Sequence, residues 1–237
     1  MDTSLYEVGR PTLRGTRTPN HESYRQVRKN VLEVLSGGPA NPTVPACPEW
    51  TVRDLLAHLV GSAALSIGRM SGWPSTRPSS SADMGVPELL DAWDQIGGEV
   101  DLLLADRGDR AGNLLVTDAF THELDLRYAV GAPMPDEHPA FASAFEVLAN
   151  GFAAAVTAHN LPALRLSTGS TQWTVGDGDP AATVTADRID LYRSIAGRRT
   201  HAQITGLDWD RDSHRWLPAF TWGPFSPPDS PTEPTAR

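Results

Sequence analysis

The strongest constraint in this chain is a change of hydrophobic period near residue 160. Before it, apolar residues recur every three to four positions in five separate stretches. After it, short runs alternate apolar and polar residues. A helix buries one stripe and a strand buries one face, so the two parts need different packing partners. A chain of 237 residues is long enough to hold both. The fold class read from this pattern is α+β: an antiparallel helical bundle at 20–160 and a small α+β domain at 161–225.

The punctuation supports five helices. Tyr24, Val27, Val31, Leu32 and Leu35 share one face, and Gly37-Gly38 stops that run. A turn-rich segment, GGPANPTVPACPEW, comes next. Thr51 can then cap a helix, with Asp54 at the third position of a capping box. Leu55, Leu56, Leu59, Ala63 and Ile67 continue its apolar face, and WPSTRPSSSADMG reads as a loop. Pro87 suits a first helical turn, and Leu89, Leu90, Trp93, Ile96, Val100 and Leu103 succeed it. The fourth helix is expected from about Arg110 to Val130, ending at Gly131, and the fifth from about Pro139 to His159. Beyond, LRLST, TQWTV and ATVTA read as strands, DRIDLYRSIAG as a short helix, and THAQITGLDW as a return to strand. The polar residues 1–19 read as an N-terminal arm, and the Pro-rich residues 226–237 as a disordered tail.

Charge and cysteine content exclude some classes. With 20 Lys+Arg against 29 Asp+Glu, the net charge of −9 repels a phosphate backbone, so no nucleic-acid partner is expected. No apolar run approaches the roughly 20 residues that span a bilayer, and the N-terminus lacks an apolar leader. A cytoplasmic monomer or homodimer acting on a small molecule is the simplest expectation. Cys47, the single cysteine, forms no intrachain disulfide and is read as a packed thiol in a Pro-bracketed turn.

One constellation carries chemistry. His58 falls in the middle of the second helix and His122 in the middle of the fourth. Asp118 precedes His122 by four residues, so both leave the same helical face. A carboxylate and an imidazole one turn apart, opposite a histidine on a neighbouring helix, can supply three ligands and leave a coordination position open. The same spacing is equally that of a local Asp–His contact beside a hydrogen-bonded core histidine. Asp118 would also act catalytically, by orienting a bound water. Arg53, Arg69 and Arg127 lie nearest by helical position and can each hold a substrate carboxylate, with Arg53 and Arg127 the first choices. Asp125, three residues after His122, can orient its imidazole or else pair at the surface with Arg127 or Arg53. Glu123 points about 100° away from His122 around the helix and is a poor ligand. His21, His138, His159, His201 and His214 have no partner spacing that marks them as ligands.

Two segments resemble the mycothiol-dependent maleylpyruvate isomerase family, whose fold is a DinB-like bundle. VPACPEWTVRDLLAHLVG is similar to the family's Cys-Pro-x-Trp-Thr-Val-x-Asp-Leu run, which leads to a metal-binding histidine, here His58. DAFTHELDLRYAVGAP is similar to its second metal helix, with His122 as ligand and with Asp125-Leu126 and Gly131 at the family's later positions. The segment 164–206 resembles the family's second domain, which is sterol-carrier-protein-like. The resemblance implies a divalent metal, zinc, on His58, Asp118 and His122, with mycothiol as co-substrate. The family has glutamate where this chain has Asp118. On an unchanged helix frame the shorter side chain sets its oxygens roughly 1–1.5 Å back, against bonds of about 2.0–2.2 Å. Three functions stay open: a mycothiol-dependent isomerase or S-transferase, a bundle enzyme repurposed for a secondary-metabolite tailoring reaction without mycothiol, and a non-catalytic binder of a small molecule.

Overall fold

In a computed structural model, the described residues are 18–37, 41–72, 83–105 and 110–235, residue 110 by its backbone alone. The expected N-terminal arm, apart from its last two residues, and most of the loop after the second helix lie outside them. The structure confirms the α+β class. It divides into two compact units between Val147 and Leu148, a point inside the fifth helix and earlier in the chain than the change of period at 160.

The first unit is built from α1 (Asn20–Leu35), α2 (Val52–Ser71), α3 (Val86–Ala105) and α4 (Arg110–Val130). Helix α3 packs on α1 and α2, and α4 packs on the other side of the same two, which closes a ring of four. Tyr24, Val31, Leu55, Leu59, Trp93 and Phe120 lie in its core, each 2% exposed or less. The α2 start is as the sequence implies: Thr51 Oγ1 accepts from Asp54 N, and the Asp54 carboxylate accepts from Thr51 N. These two bonds satisfy backbone donors that no helical carbonyl reaches. The segment before it is more ordered than its turn residues suggest. Thr43–Val44 (β1) and Cys47–Thr51 (β2) form an antiparallel hairpin, and β2 delivers Trp50 to the foot of α2.

Helix α3 has a glycine at mid-length for a packing reason. A Cβ at Gly97 would stand 1.8 Å from Arg28 Nη1. The gap lets the buried Arg28 cross α3 and donate to Asp101 Oδ2 at 2.8 Å and Asp94 Oδ1 at 3.1 Å. A mid-helix glycine costs roughly 1 kcal/mol against alanine. Leaving Arg28 buried without Asp101 would cost about 3–5 kcal/mol, which outweighs it.

Helix α5 (Phe141–Ala158) meets the length and hydropathy of a membrane span. Its apolar residues instead serve the core: Phe145, Leu148, Phe152 and Val156 are each 1% exposed or less. In the second unit its C-terminal half stacks Phe152 on Phe220 at 4.7 Å. A four-stranded sheet comes after it in the order β4-β3-β5-β6, from Gln172–Val175, Leu164–Ser167, Ala182–Thr185 and Asp208–Trp209. Strand β3 is antiparallel to β4 and parallel to β5, while β5 is antiparallel to β6. Helix α6 (Arg188–Ile195) is capped by Asp187, which accepts from Ile189 N.

Two expectations are corrected in this unit. The run THAQIT is a helix, α7 (His201–Thr205), with only Asp208–Trp209 extended. A capping box between Thr200 and Gln203 starts it, and this local pairing overrides the apparent alternation. The tail expected at 226–237 to be disordered is placed as far as residue 235, and Glu233 is buried. The cause is charge. Arg193 and Arg199 are buried, and Asp190 pairs with Arg199 at 2.9 Å. Glu233 is the second carboxylate. It accepts from Arg199 Nη1 at 2.6 Å and from Arg193 Nε at 3.0 Å, and it also pairs with Arg193 Nη2. Gln203 Nε2 donates to its backbone carbonyl at 2.8 Å.

Removing one partner from a buried ion network leaves the others uncompensated. Glu233→Ala should therefore lower unfolding free energy by about 3–5 kcal/mol in chemical denaturation, and truncation after Ser230 should do the same. An unchanged midpoint for both would show that the tail contributes nothing.

Candidate metal centre

The two helices that carry the site are neighbours in the ring, and each is specified by its own apolar stripe. His58 emerges from α2 after Leu55 and Leu56, and Asp118 and His122 emerge from α4 between the buried Val116, Phe120 and Leu124. Each polar side chain is carried to the α2–α4 seam because its helix has no other way to bury those residues. His58, Asp118 and His122 bring one donor atom each to within 4.8 Å of one another.

The carboxylate lies between the imidazoles. Asp118 Oδ1 is 3.3 Å from His58 Nε2 and 3.6 Å from His122 Nε2. Donors bound tetrahedrally at about 2.0–2.2 Å stand about 3.3–3.6 Å apart, so these two edges already have the length a metal needs. The shortfall expected of aspartate does not arise at this spacing: its Oδ1 reaches both rings. Asp118 Oδ2 is buried and has no hydrogen-bond partner among the described residues. A buried carboxylate oxygen without a donor is costly in a finished protein interior, and a cation is one thing that would satisfy it. On these observations the residues present fit a divalent ion.

The next layer fixes the rings. Asp125 is fully buried, and its Oδ2 lies 2.8 Å from His122 Nδ1. The carboxylate accepts the Nδ1 proton and leaves the Nε2 lone pair facing Asp118 and His58. Of the two roles open to Asp125 in the sequence, the structure shows the orienting contact. Ser62 Oγ lies 3.4 Å from His58 Nε2. Trp50 covers both imidazoles, with ring centroids 5.3 Å from His58 and 6.5 Å from His122. The sequence places Trp50 only at the helix start. Its reach over the site depends on the β1–β2 hairpin, which is not legible as strand.

All the remaining candidates but Arg69 have other partners. Arg53 donates to Met84 O at 2.8 Å and to Asp54 Oδ1 at 3.1 Å. Arg127 donates to Glu123 Oε1 at 2.8 Å and to Pro133 O at 2.9 Å. Arg69 lines a cleft that also includes Asp118. Glu123 is buried on another face of α4, where its Oε1 accepts from Asn30 Nδ2 at 2.9 Å and its Oε2 lies 3.0 Å from His138 Nε2. Ala140 N donates to His138 Nδ1, so the His138 proton sits on Nε2 and faces that carboxylate. This second His–carboxylate pair has no spacing in sequence to announce it, since its members are 15 residues apart on separate segments.

The fold and this site define a class: a four-helix ring with a two-histidine, one-carboxylate centre on adjacent helices, continued by a small α+β unit. Known proteins resemble it in part of the chain and in fold. Residues 24–117 match the family model of the mycothiol maleylpyruvate isomerase N-terminal domain, a stretch that includes His58 and stops one residue short of Asp118. A crystal structure of the mycothiol-dependent maleylpyruvate isomerase shares the fold, with a TM-score of 0.54 at 15% identity, over 82% of this chain and 92% of that one. No curated protein matches. The family model thus meets the resemblance read from the first helix motif, while the second motif lies beyond its match and the solved structure supports the fold.

Electrostatics tie the three side chains together. The hydrogen bond that the His58 ring donates to the Asp118 carboxylate raises the His58 pKa above its ordinary 6.5, against burial, which lowers it. Burial pushes the Asp118 pKa up, but the His58 hydrogen bond and the charges of His122 and His58 together hold it below the ordinary 3.8. The raised histidine contributes stability below 6.5 and loses it as pH climbs through its folded value. The lowered aspartate contributes above 3.8 and loses it as pH falls through its folded value. The pair is therefore fully effective between those limits. In an NMR titration of metal-free protein, His58 should show a midpoint above 6.5, and Asp118→Asn should lower it. Identical midpoints in the two proteins would mean that the contact does not exist in solution.

Proposed function

We propose that this chain is a metal-dependent isomerase that uses a low-molecular-weight thiol, mycothiol, on a small electrophile of the maleylpyruvate type. The observation that carries the reading is the convergence of His58 Nε2, Asp118 Oδ1 and His122 Nε2 at ligand spacing, on the fold shared with the mycothiol-dependent enzyme. Two imidazoles and a carboxylate at these distances suit zinc. When bound there, the metal would supply a Lewis acid that lowers the pKa of a thiol to near neutrality. A cytoplasmic setting goes with this reading, because such thiols are kept reduced there.

The chain's own residues do the positioning. Asp125 holds the His122 proton on Nδ1, so that Nε2 stays available. Trp50 lies against both imidazoles and keeps bulk water off that side. Ser62 Oγ, next to His58, can donate a hydrogen bond to an incoming thiolate. In the reaction the thiolate sulfur bonds to one carbon of the cis double bond, and the electron pair moves to the conjugated carbonyl oxygen. The former double bond is now single and rotates. The pair returns, the C–S bond breaks, and the trans isomer leaves with the thiol regenerated. Atoms and electrons balance with no further reactant. Transfer of the thiol to an electrophile without its later loss would be the S-transferase variant of the same chemistry.

A second reading has one observation in its favour. Arg53 and Arg127, the first choices for a substrate carboxylate, are engaged with other groups. An enzyme of the same bundle acting without mycothiol on another small molecule would need no such pair.

Metal analysis and a thiol-dependence assay test both. Protein purified without a metal-affinity column should hold about one equivalent of zinc, and His58→Ala and His122→Ala should each weaken binding by about 100-fold or more. Asp125→Asn should weaken it by about 10–100-fold. Asp118→Glu should loosen the site, because an extra methylene at a position where Oδ1 already reaches both rings costs about 1–3 kcal/mol. Turnover of maleylpyruvate should require mycothiol. Metal-dependent turnover of another substrate without thiol would establish the second reading, and no metal uptake under metal-replete conditions would overturn both.

A further inference from the structure

The metal cluster is one end of a longer feature. A cleft of about 220 Å³ runs between α2 and α4, and Asp118 forms part of its wall. From His58 along α2, Ser62, Leu65 and Arg69 stand four, seven and eleven residues on, which keeps them within about 40° of one stripe. Ser62, Leu65 and Arg69 all line the cleft, as do Leu114 and Leu115 from α4. Leu65 is 55% exposed and Leu114 is 48% exposed, two of the four large apolar side chains left most open among the described residues. The cleft thus has a polar, carboxylate-bearing end, apolar walls, and a cation at its far end.

That cation is unlike the other described basic side chains of the same unit. Arg25, Arg28, Lys29, Arg53 and Arg127 each have an acidic or carbonyl partner. Arg69 has no hydrogen bond, ion pair or ring contact among the described residues. His58 and Arg69 are about 16 Å apart along the helix axis, and Arg69 lines the same cleft as Asp118. A guanidinium is a forked donor matched to a carboxylate or phosphate.

We propose that this cleft is the subsite for the body of the substrate, and that it selects an extended molecule with an apolar middle and an anionic far end held by Arg69. The proposal deepens the functional reading above and rests on it only for which end reacts. It assigns to Arg69 the substrate-anchoring role that Arg53 and Arg127 do not fill. A carbon chain ending in a carboxylate would cover the leucine walls and meet the cation.

The test uses metal-free protein, so that the subsite and the metal centre succeed or fail separately. Straight-chain carboxylates of about four to ten carbons, and the alcohols of the same lengths, are titrated by heteronuclear NMR and calorimetry. The acids should bind more tightly with length and about tenfold more tightly than their alcohols. Arg69→Gln should remove that tenfold difference and leave the alcohols unchanged, while Arg69→Lys should restore part of it. Leu114→Asn, at an exposed position, should flatten the dependence on length. His58→Ala, which disables the metal centre, should leave acid binding intact. Equal binding of acids and alcohols, or acid binding indifferent to Arg69→Gln, would overturn the subsite even if zinc binds at His58, Asp118 and His122.

Discussion

A single carboxylate oxygen placed between two imidazoles sets the terms for the whole bundle half. Asp118 Oδ1 can stand 3.3 Å and 3.6 Å from the two Nε2 atoms only if α2 and α4 lie side by side with a defined rotation and register. The apolar stripes of both helices supply the approach. A slip of one residue in either would carry a ligand about 100° around its axis and out of the seam. The short side chain makes this tighter, since aspartate has one fewer torsion than glutamate with which to absorb an error. The site is therefore precise because the helices are packed, and its cost is a buried Asp118 Oδ2 without a hydrogen-bond partner among the described residues.

Helix α4 manages four acidic or imidazole groups within eight residues by sending them to different faces. Asp118 and His122 face α2, Asp125 backs His122, and Glu123 turns to Asn30, Arg127 and His138. Each buried charge has a named counter-group, which is the condition for burying it at all. The Glu123 cluster ties α4 to α1 through Asn30 and so resists rotation of the helix that would misplace Asp118. Trp50 depends on an equally local device. The capping box at Thr51 fixes where α2 begins, and the residue immediately before the cap is the one that lies over the imidazoles.

The C-terminal unit solves a different problem with similar means. Its sheet is small, and α6 together with the turn after it buries two arginines that a single aspartate does not balance. The chain supplies the second carboxylate from Glu233, after a proline-rich stretch that has little apolar content of its own to pack. A segment whose composition favours disorder is thus held by two ion pairs and a backbone hydrogen bond. Composition describes what a segment cannot do alone, and it is silent about a buried partner 34 residues away.

The features legible in the amino-acid sequence are local and periodic. Five apolar stripes, the Thr51–Asp54 cap, the glycine stops and the four-residue step from Asp118 to His122 all act within one or two helical turns, where spacing and contact are nearly the same thing. The three side chains that converge, His58, Asp118 and His122, could be named for that reason, with the family likeness choosing among the readings that spacing left open. Packing between distant segments settles the rest. Whether Asp118 reaches, whether Asp125 turns inward or outward, and which arginine is left without a partner depend on the separation and rotation of helices that are far apart in the chain. The β1–β2 hairpin and the Glu233 anchor escape a reading of the sequence on the same ground. In each, a short segment with weak intrinsic preference took the form that satisfied buried backbone groups or charges contributed by residues elsewhere, and no pattern within the segment records what those residues are.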